Sequence, residues 1–162
     1  MYRSASIGFV MALILLVPVP AVGATPRSQG APAAVEAAVL AVHDEMTRAG
    51  EAGDADRLFS YMMDTSTGSV IQNGVILATR AEALEQVRSN LRGVSKVQYT
   101  WRRRLVTVLS PEIAVLAVEG DSTVALAAGG SFSTPLAQTI VFVLKNGQWK
   151  AIQACHSLPR AQ

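Results

Sequence analysis

Apolar residues recur at helical spacing in the segment 33–49. Val35, Val39, Val42 and Met46 are separated by four, three and four positions, which places them on one face of an α-helix. The pattern therefore predicts a long amphipathic helix from residue 33 to residue 49, and the glycines that follow are expected to end it.

Two shorter helices are predicted downstream. Asp54 can cap a helix that runs through Met62 or Met63, because its carboxylate can accept a hydrogen bond from a free backbone N–H of the first turn. Thr79 and Glu82 have the spacing of a capping box, in which the two residues satisfy each other's backbone N–H groups. This pair predicts the start of a third helix, which a glycine ends.

A β-hairpin is predicted between the second and third helices. Asn73-Gly74 lies between two β-prone runs, Val70–Gln72 and Val75–Leu77. Asn-Gly is the strongest short hairpin signal, because both turn residues must accept a positive φ.

From residue 96 onward the pattern changes to β-strands. The turn residues divide this part into four predicted strands: Val97–Leu109, Ile113–Leu126, Phe132–Lys145 and Trp149–His156. Gly120-Asp121 predicts a bend or bulge in the second of them. Pro135 predicts a bulge or an edge in the third.

Helices followed by a run of antiparallel strands predict an α+β domain, with the helices packed on one face of a curved sheet. Ile113–Val118 and Ile140–Leu144 are apolar at both alternating positions, whereas a strand with one face in water should alternate. We therefore expect both faces of the sheet to be covered, one by helices and the other by a second copy of the chain.

The first 24 residues have the layout of a secretory signal peptide. Arg3 precedes the apolar run Ile7–Val17, and Val22-Gly23-Ala24 offers small residues for cleavage after Ala24. The run is shorter than the roughly 20 residues that span a bilayer. Export to a periplasm or to the medium is the prediction, with membrane contact only through the signal segment during export. The alternative is an uncleaved membrane anchor.

The length of 162 residues suits one domain, which is expected over 33–157 between a flexible leader (25–32) and a polar tail (158–162). An apolar fraction of 50% and a charged fraction of 16% exclude a disordered chain. One cysteine excludes a disulfide scaffold and a multi-cysteine metal site. A net charge of +2 argues against a nucleic-acid partner. No phosphate loop or metal-ligand motif occurs, so no cofactor and no metal are expected.

Two short motifs carry a family resemblance. Ala52–Leu58 joins the first two helices, and Asn146–Ile152 leads into the final His156-Ser157. With the predicted order of elements, the segment 33–157 resembles the nuclear-transport-factor-2-like superfamily, and within it the SnoaL-like and ketosteroid-isomerase-like branch. The resemblance implies a cone: a curved antiparallel sheet wrapped around the long first helix, with two further short helices and an apolar pocket at the open end. Many members dimerise through the sheet, which implies a homodimer.

The same resemblance locates the acid–base positions of the isomerase-type members. It puts the carboxylate base of the hairpin at about Gln72, and a later acid or oxyanion donor near 139–141. Neither position holds a carboxylate, and an amide cannot act as a general base. Isomerase or cyclase activity is therefore disfavoured.

His156 and Asp64 remain as candidate catalytic bases. His156 ends the last strand and could carry a proton or bind a ligand; otherwise it caps a loop. Asp64 precedes the hairpin and either acts as a base or caps the following turn. His43 is expected at the surface of the first helix. Glu119 is expected to face solvent, with a pocket carboxylate as the alternative.

A ligand pocket is expected to draw on six side chains: Tyr61, Met62, Gln72, Trp101, Gln153 and His156. The run Arg102-Arg103-Arg104 is expected to split, with Arg103 on one face of its strand and its two neighbours on the other. Cys155 is expected to be buried as a small apolar residue, with an intermolecular disulfide as the alternative.

Three functions are compatible with these features. The first is non-catalytic binding of a small, mostly apolar ligand in the pocket. The second is a small lyase, isomerase or hydrolase that uses His156 or Asp64. The third is a dimeric assembly module whose pocket is filled by side chains.

Overall fold

A computed structural model describes residues 30–66 and 69–157. The predicted signal peptide, most of the predicted leader and the predicted polar tail lie outside these residues. The first helix begins at Gly30, so the last residues of the segment predicted as a leader are helical. Within the described residues, no helix has the length and apolar character needed to cross a membrane.

Three helices form where the pattern predicts them: α1 at Gly30–Glu51, α2 at Ala55–Ser60 and α3 at Arg80–Leu91. Asp54 caps α2, since its Oδ1 accepts a hydrogen bond from the Arg57 backbone N–H at 2.9 Å. The capping box of α3 is confirmed. Thr79 Oγ1 accepts from the Glu82 backbone N–H at 3.1 Å, and Glu82 Oε2 accepts from the Thr79 backbone N–H at 3.2 Å.

The six strands are β1 at Val70–Gln72, β2 at Val75–Leu77, β3 at Val94–Ser110, β4 at Ile113–Leu126, β5 at Ser131–Lys145 and β6 at Gln148–Ser157. They form one sheet in the order β2-β1-β6-β5-β4-β3. The predicted hairpin is therefore part of the same sheet. Its strand β1 pairs with β6 in parallel, whereas the other pairs are antiparallel. The architecture is α+β with a curved, unclosed sheet, as predicted.

A bulge interrupts the pairing of β3 with β4. Trp101 pairs with Gly120 and Arg103 pairs with Glu119, so Arg102 is the extra residue. A bend was predicted at Gly120-Asp121 in β4, but the inserted residue lies in β3. Gly120 is still essential to the geometry, because a Cβ there would lie 2.2 Å from the carbonyl oxygen of Thr100.

Among the described residues, Pro135 has one neighbouring strand. It pairs with Asp121 of β4 without a register shift, while the described pairing of β5 with β6 starts at Ala137 and Ser157. Within residues 30–157 the missing N–H of proline therefore costs no ladder hydrogen bond on the β6 side, in keeping with the predicted edge position.

The core lies between α1 and the concave face of the sheet. Val39 and Met46 of α1 and Phe59 of α2 pack in one cluster with Leu116 and Ile140 of the sheet. Opposite them, the outer face of the sheet exposes apolar side chains, such as Leu105 (54% exposed) and Ile113 (40% exposed). The helices thus cover one face, and no element of the described residues covers the outer face.

Candidate functional site: a cavity between the helices and the sheet

A cavity of about 140 Å³ lies between the three helices and the concave face of the sheet. Met46 of α1, Leu58 and Phe59 of α2, and Val87 of α3 line the helix side. Its walls are therefore mostly apolar, and polar side chains enter at only a few positions.

The sheet side of the cavity is built from two neighbouring rows of residues. The register pairs Val70 with Ala154 and Ala154 with Ile140, and all three line the cavity. We call Val70, Ala154 and Ile140 the apolar row.

The second row lies two residues later in β1 and β6 and two residues earlier in β5, which runs antiparallel to β6. Gln138 of β5 pairs directly with His156 of β6. In the parallel pair of β1 and β6, Ile71 pairs with Cys155. The next residues of the two strands, Gln72 and His156, are therefore neighbours as well. All three side chains line the cavity, and we call Gln72, His156 and Gln138 the polar row. The cavity thus has an apolar side and a polar side.

His43 enters the cavity from α1. It is only 2% exposed, so the predicted surface position was wrong. The buried stripe of α1 runs through Val39, His43 and Met46, at spacings of four and three, rather than through Val42. The buried Nδ1 of His43 has no hydrogen-bond partner among the described residues.

An aromatic wall closes the cavity beside His43. The Tyr99 and Trp101 rings stack with centroids 5.3 Å apart, and the His43 ring tilts against Trp101 at 5.1 Å. Trp101 Nε1 donates a hydrogen bond to Thr47 Oγ1 at 3.1 Å. Gly50 of α1 leaves room for Tyr99, since a Cβ there would lie 3.2 Å from the ring.

The titratable groups that line the cavity are held in their neutral forms. Burial, together with the positive charge of Arg104, lowers the pKa of His43 to about 4, although Asp44 acts in the opposite direction. Burial also lowers the pKa of His156. Burial, and then the negative charge of Glu51, raises the pKa of Tyr99. At neutral pH both imidazoles and the phenol are therefore uncharged.

None of the described residues that line the cavity is a carboxylate. The described part of the chain also contains no group of three His, Cys, Asp or Glu side chains placed to hold a metal ion. The polar groups available for chemistry in the cavity are the neutral imidazoles, two amides, a threonine hydroxyl and a phenol.

Four of the six side chains expected at a pocket line this cavity: Met62, Gln72, Trp101 and His156. Tyr61 and Gln153 do not line it. Tyr61 lies just beyond α2, where the Lys150 Nζ is 5.9 Å from its ring centroid.

Gln153 was misplaced because β6 contains a bulge. The register passes from Val141–Gln153 to Phe142–Ala151, so Ile152 is the extra residue. Ala151 and Ala154 are both buried on the concave side, which places Gln153 on the outer face with Cys155.

Asp64 is exposed and is not among the residues that line the cavity with His156. Glu119 forms an ion pair with Arg103 at 3.2 Å, and its side chain is 43% exposed, in keeping with its expected solvent-facing position.

Cys155 is exposed and lies on the outer face of the sheet. Its predicted burial was therefore wrong, because the bulge in β6 reverses the alternation.

The three arginines also depart from simple alternation. Arg104 forms an ion pair with Asp44 of α1, on the cavity side of the sheet. Arg102 and Arg103 pair with Asp121 and Glu119, which alternate onto the outer face of β4. The predicted split was therefore wrong for Arg102, since the bulge at that residue puts it on the side of Arg103.

Sequence reasoning missed His43, Tyr99 and Gln138 as cavity residues. His43 could have been found from the spacing of Val39, His43 and Met46. This spacing of four and three residues fits one helix face as well as the spacing of the predicted stripe through Val42 does. Gln138 could have been found as the one amide between the apolar residues Leu136 and Ile140, which share its face of β5 and are buried.

A family model for the SnoaL-like domain matches residues 39–161, which is most of the chain. The chain belongs to the SnoaL-like domain family. None of the curated proteins compared with the chain is significantly similar to it.

Solved structures of the nuclear-transport-factor-2-like superfamily share the fold of this SnoaL-like domain. A superfamily protein from Salmonella enterica is 13% identical, with a TM-score of 0.72 over 81% of this chain and 95% of that one. A second member, from Streptomyces avermitilis, is 18% identical, with a TM-score of 0.70 over 80% and 99%. A hexachlorocyclohexane dehydrochlorinase is 14% identical, with a TM-score of 0.69 over 82% and 90%. At these identities the likeness establishes the fold of the SnoaL-like domain and not its activity.

Proposed function

We propose that this SnoaL-like domain binds a small, mostly apolar molecule in the cavity and does not transform it. The observation that carries the proposal is the composition of the cavity walls: apolar side chains from all three helices and the sheet, with a few uncharged polar groups. Small-molecule sites have this composition, because apolar contact provides affinity and a few polar groups fix the orientation of the ligand.

The electrostatics of the cavity favour binding over acid–base catalysis. A general base works best when its pKa lies near the working pH. The pKa of His43 is about 4, so its neutral ring is a weak base at pH 7. The usual partner that raises the basicity of an imidazole is a carboxylate, and none of the described residues that line the cavity supplies one.

Titration with toluene tests the proposal, with the indole N–H resonances of the two tryptophans as the readout. Trp101 lines the cavity, whereas Trp149 packs against the core elsewhere. Toluene is expected to shift the Trp101 signal saturably and to leave the Trp149 signal nearly unchanged. Equal, non-saturating shifts at both tryptophans would contradict a specific site.

A matched pair of variants locates the binding. Val87→Phe places a ring into the cavity from α3 and is expected to abolish the shift. Val75→Phe makes the same change at a side chain that is 54% exposed on the hairpin, and it is expected to leave toluene binding intact. Binding that survives Val87→Phe would place toluene outside the cavity.

A small lyase or isomerase is the second candidate function. The observation that favours it is that His43 and His156 line one cavity, so that a neutral imidazole could take a proton from one atom of the ligand and, as the imidazolium, return that proton to another. Asp64 has no part in this alternative, since it does not line the cavity. An enzyme of this kind would convert a bound ligand, and mass spectrometry of the ligand after incubation would reveal the product.

Two further properties are proposed from the sequence. The layout of residues 1–24 supports export, with cleavage after Ala24, and the N-terminal sequence of the protein recovered from its host tests this.

The apolar outer face of the sheet supports a homodimer, because soluble monomers rarely leave a large apolar patch in water.

A further inference from the structure

The polar row has a hydrogen-bonding chemistry that favours one kind of ligand group. Gln72 and Gln138 carry amides that both donate and accept hydrogen bonds, and the neutral imidazole of His156 has one donor and one acceptor. A ligand group that both donates and accepts hydrogen bonds can therefore pair with these side chains whether they present a donor or an acceptor. A hydroxyl does so, whereas an ether or a ketone can only accept.

The cavity gives a charged ligand no partner among the described residues. No carboxylate lines it to pair with an ammonium group, and no lysine or arginine lines it to pair with a carboxylate. Arg104, the cation whose charge reaches His43, already forms an ion pair with Asp44. Burying an unpaired charge costs far more than burying a hydrogen-bonded hydroxyl.

The size of the cavity limits the ligand further. Apolar cavities of roughly 150 Å³ accommodate a single benzene ring, and the volume here is about 140 Å³. Phe59 of α2 and the apolar row line the same cavity, so a ring there has apolar contacts from a helix and from the sheet.

We propose that the ligand is an uncharged single-ring compound with a hydroxyl group. Its ring lies against the apolar row, and its hydroxyl bonds to Gln138 and His156, which are paired on adjacent strands. This inference rests on the proposed function and names the class of ligand that the same cavity takes.

A panel of four probes tests the inference at pH 7: phenol, toluene, benzoate and benzylamine, titrated into the purified protein and followed at the Trp101 indole resonance. Phenol is expected to bind about 5- to 10-fold more tightly than toluene, the gain that one or two net hydrogen bonds provide. Benzoate and benzylammonium are expected not to bind in the same concentration range.

Two variants identify the polar row as the origin of the preference. Gln138→Leu keeps the size of the side chain but removes its amide, and it is expected to reduce the preference for phenol over toluene to about twofold or less. Thr139→Val changes the next residue of β5, which is exposed on the outer face, and it is expected to leave both affinities unchanged.

The outcomes separate the ligand class from the function. Toluene that binds as tightly as phenol overturns the hydroxyl preference and leaves the proposed binding function in place. Benzoate or benzylamine as the tightest ligand overturns the uncharged class. If none of the four probes binds, both the inference and the proposed function are wrong. The comparison on the unchanged protein does not depend on the folding of any variant.

Discussion

His43 is the residue whose charge state most directly sets the polarity of the cavity. Its pKa is about 4 in the folded chain, against the ordinary value of 6.5. Between these two values the unfolded state binds more protons than the folded state, so the free energy of unfolding decreases as the pH falls from about 6.5 to about 4. His156, whose pKa is also lowered, contributes with the same sign.

Urea unfolding at pH 7 and pH 5 measures this effect. His43 alone is expected to reduce the free energy of unfolding by about 2 kcal/mol between the two pH values. His43→Leu is expected to remove most of that pH dependence. If the free energy of unfolding of His43→Leu changes as much between pH 7 and pH 5 as that of the unchanged chain, His43 is not the group responsible.

At the scale of single elements, the bulge in β3 directs side chains toward or away from the cavity. It allows Trp101 and Arg104, three positions apart, both to contact α1, through Thr47 and Asp44. The backbones of β3 and β4 approach so closely there that Gly120 cannot carry a Cβ without meeting the Thr100 carbonyl oxygen.

Gly120→Ala is therefore expected to lower the free energy of unfolding by about 2 kcal/mol or more, as overpacking against rigid backbone does. Gly50→Ala is the graded comparison. Its Cβ would meet the Tyr99 side chain at 3.2 Å, and because a side chain can shift, a loss below about 1 kcal/mol is expected. Chemical denaturation compares the two. Equal losses would mean that the close approach at Gly120 relaxes easily.

The same elements show what the sequence can and cannot predict. The capping box at Thr79, the hairpin at Asn73-Gly74 and the bounds of β4 follow from local chemistry, and the sequence alone predicts them. The face of the sheet on which Gln153 and Arg102 lie depends on bulges that no local pattern marks. One inserted residue reverses the alternation of side chains between the two faces. The cavity residue His43 was missed because the apolar pattern of α1 favours Val42, whereas in the folded chain the polar His43 is buried and contacts Trp101.

At the scale of the whole molecule, the apolar outer face of the sheet is the surface on which the proposed homodimer depends. Leu105 is 54% exposed at its surface and lines a groove together with Ala117, Ala137 and Cys155. If a second copy covers this face, a charge at Leu105 would have to be removed from water, which costs several kcal/mol by order of magnitude.

Leu105→Glu is therefore expected to convert a dimer into a monomer, which sedimentation velocity measures. Ile76→Glu is the matched control, because Ile76 is also exposed (64%) but lies on the hairpin at the opposite edge of the sheet. A dimer that survives Leu105→Glu and dissociates with Ile76→Glu would place the interface at the hairpin.

The proposed function requires that the space between α1 and the sheet is an apolar cavity open to a ligand. A crystal structure of the protein under xenon pressure tests it most directly, because xenon occupies apolar cavities of this size and needs no hydrogen bonds. We expect a xenon atom between Phe59 and the apolar row of Val70, Ala154 and Ile140. Side chains that fill this space, with xenon bound elsewhere or not at all, would contradict the claim and favour the assembly module.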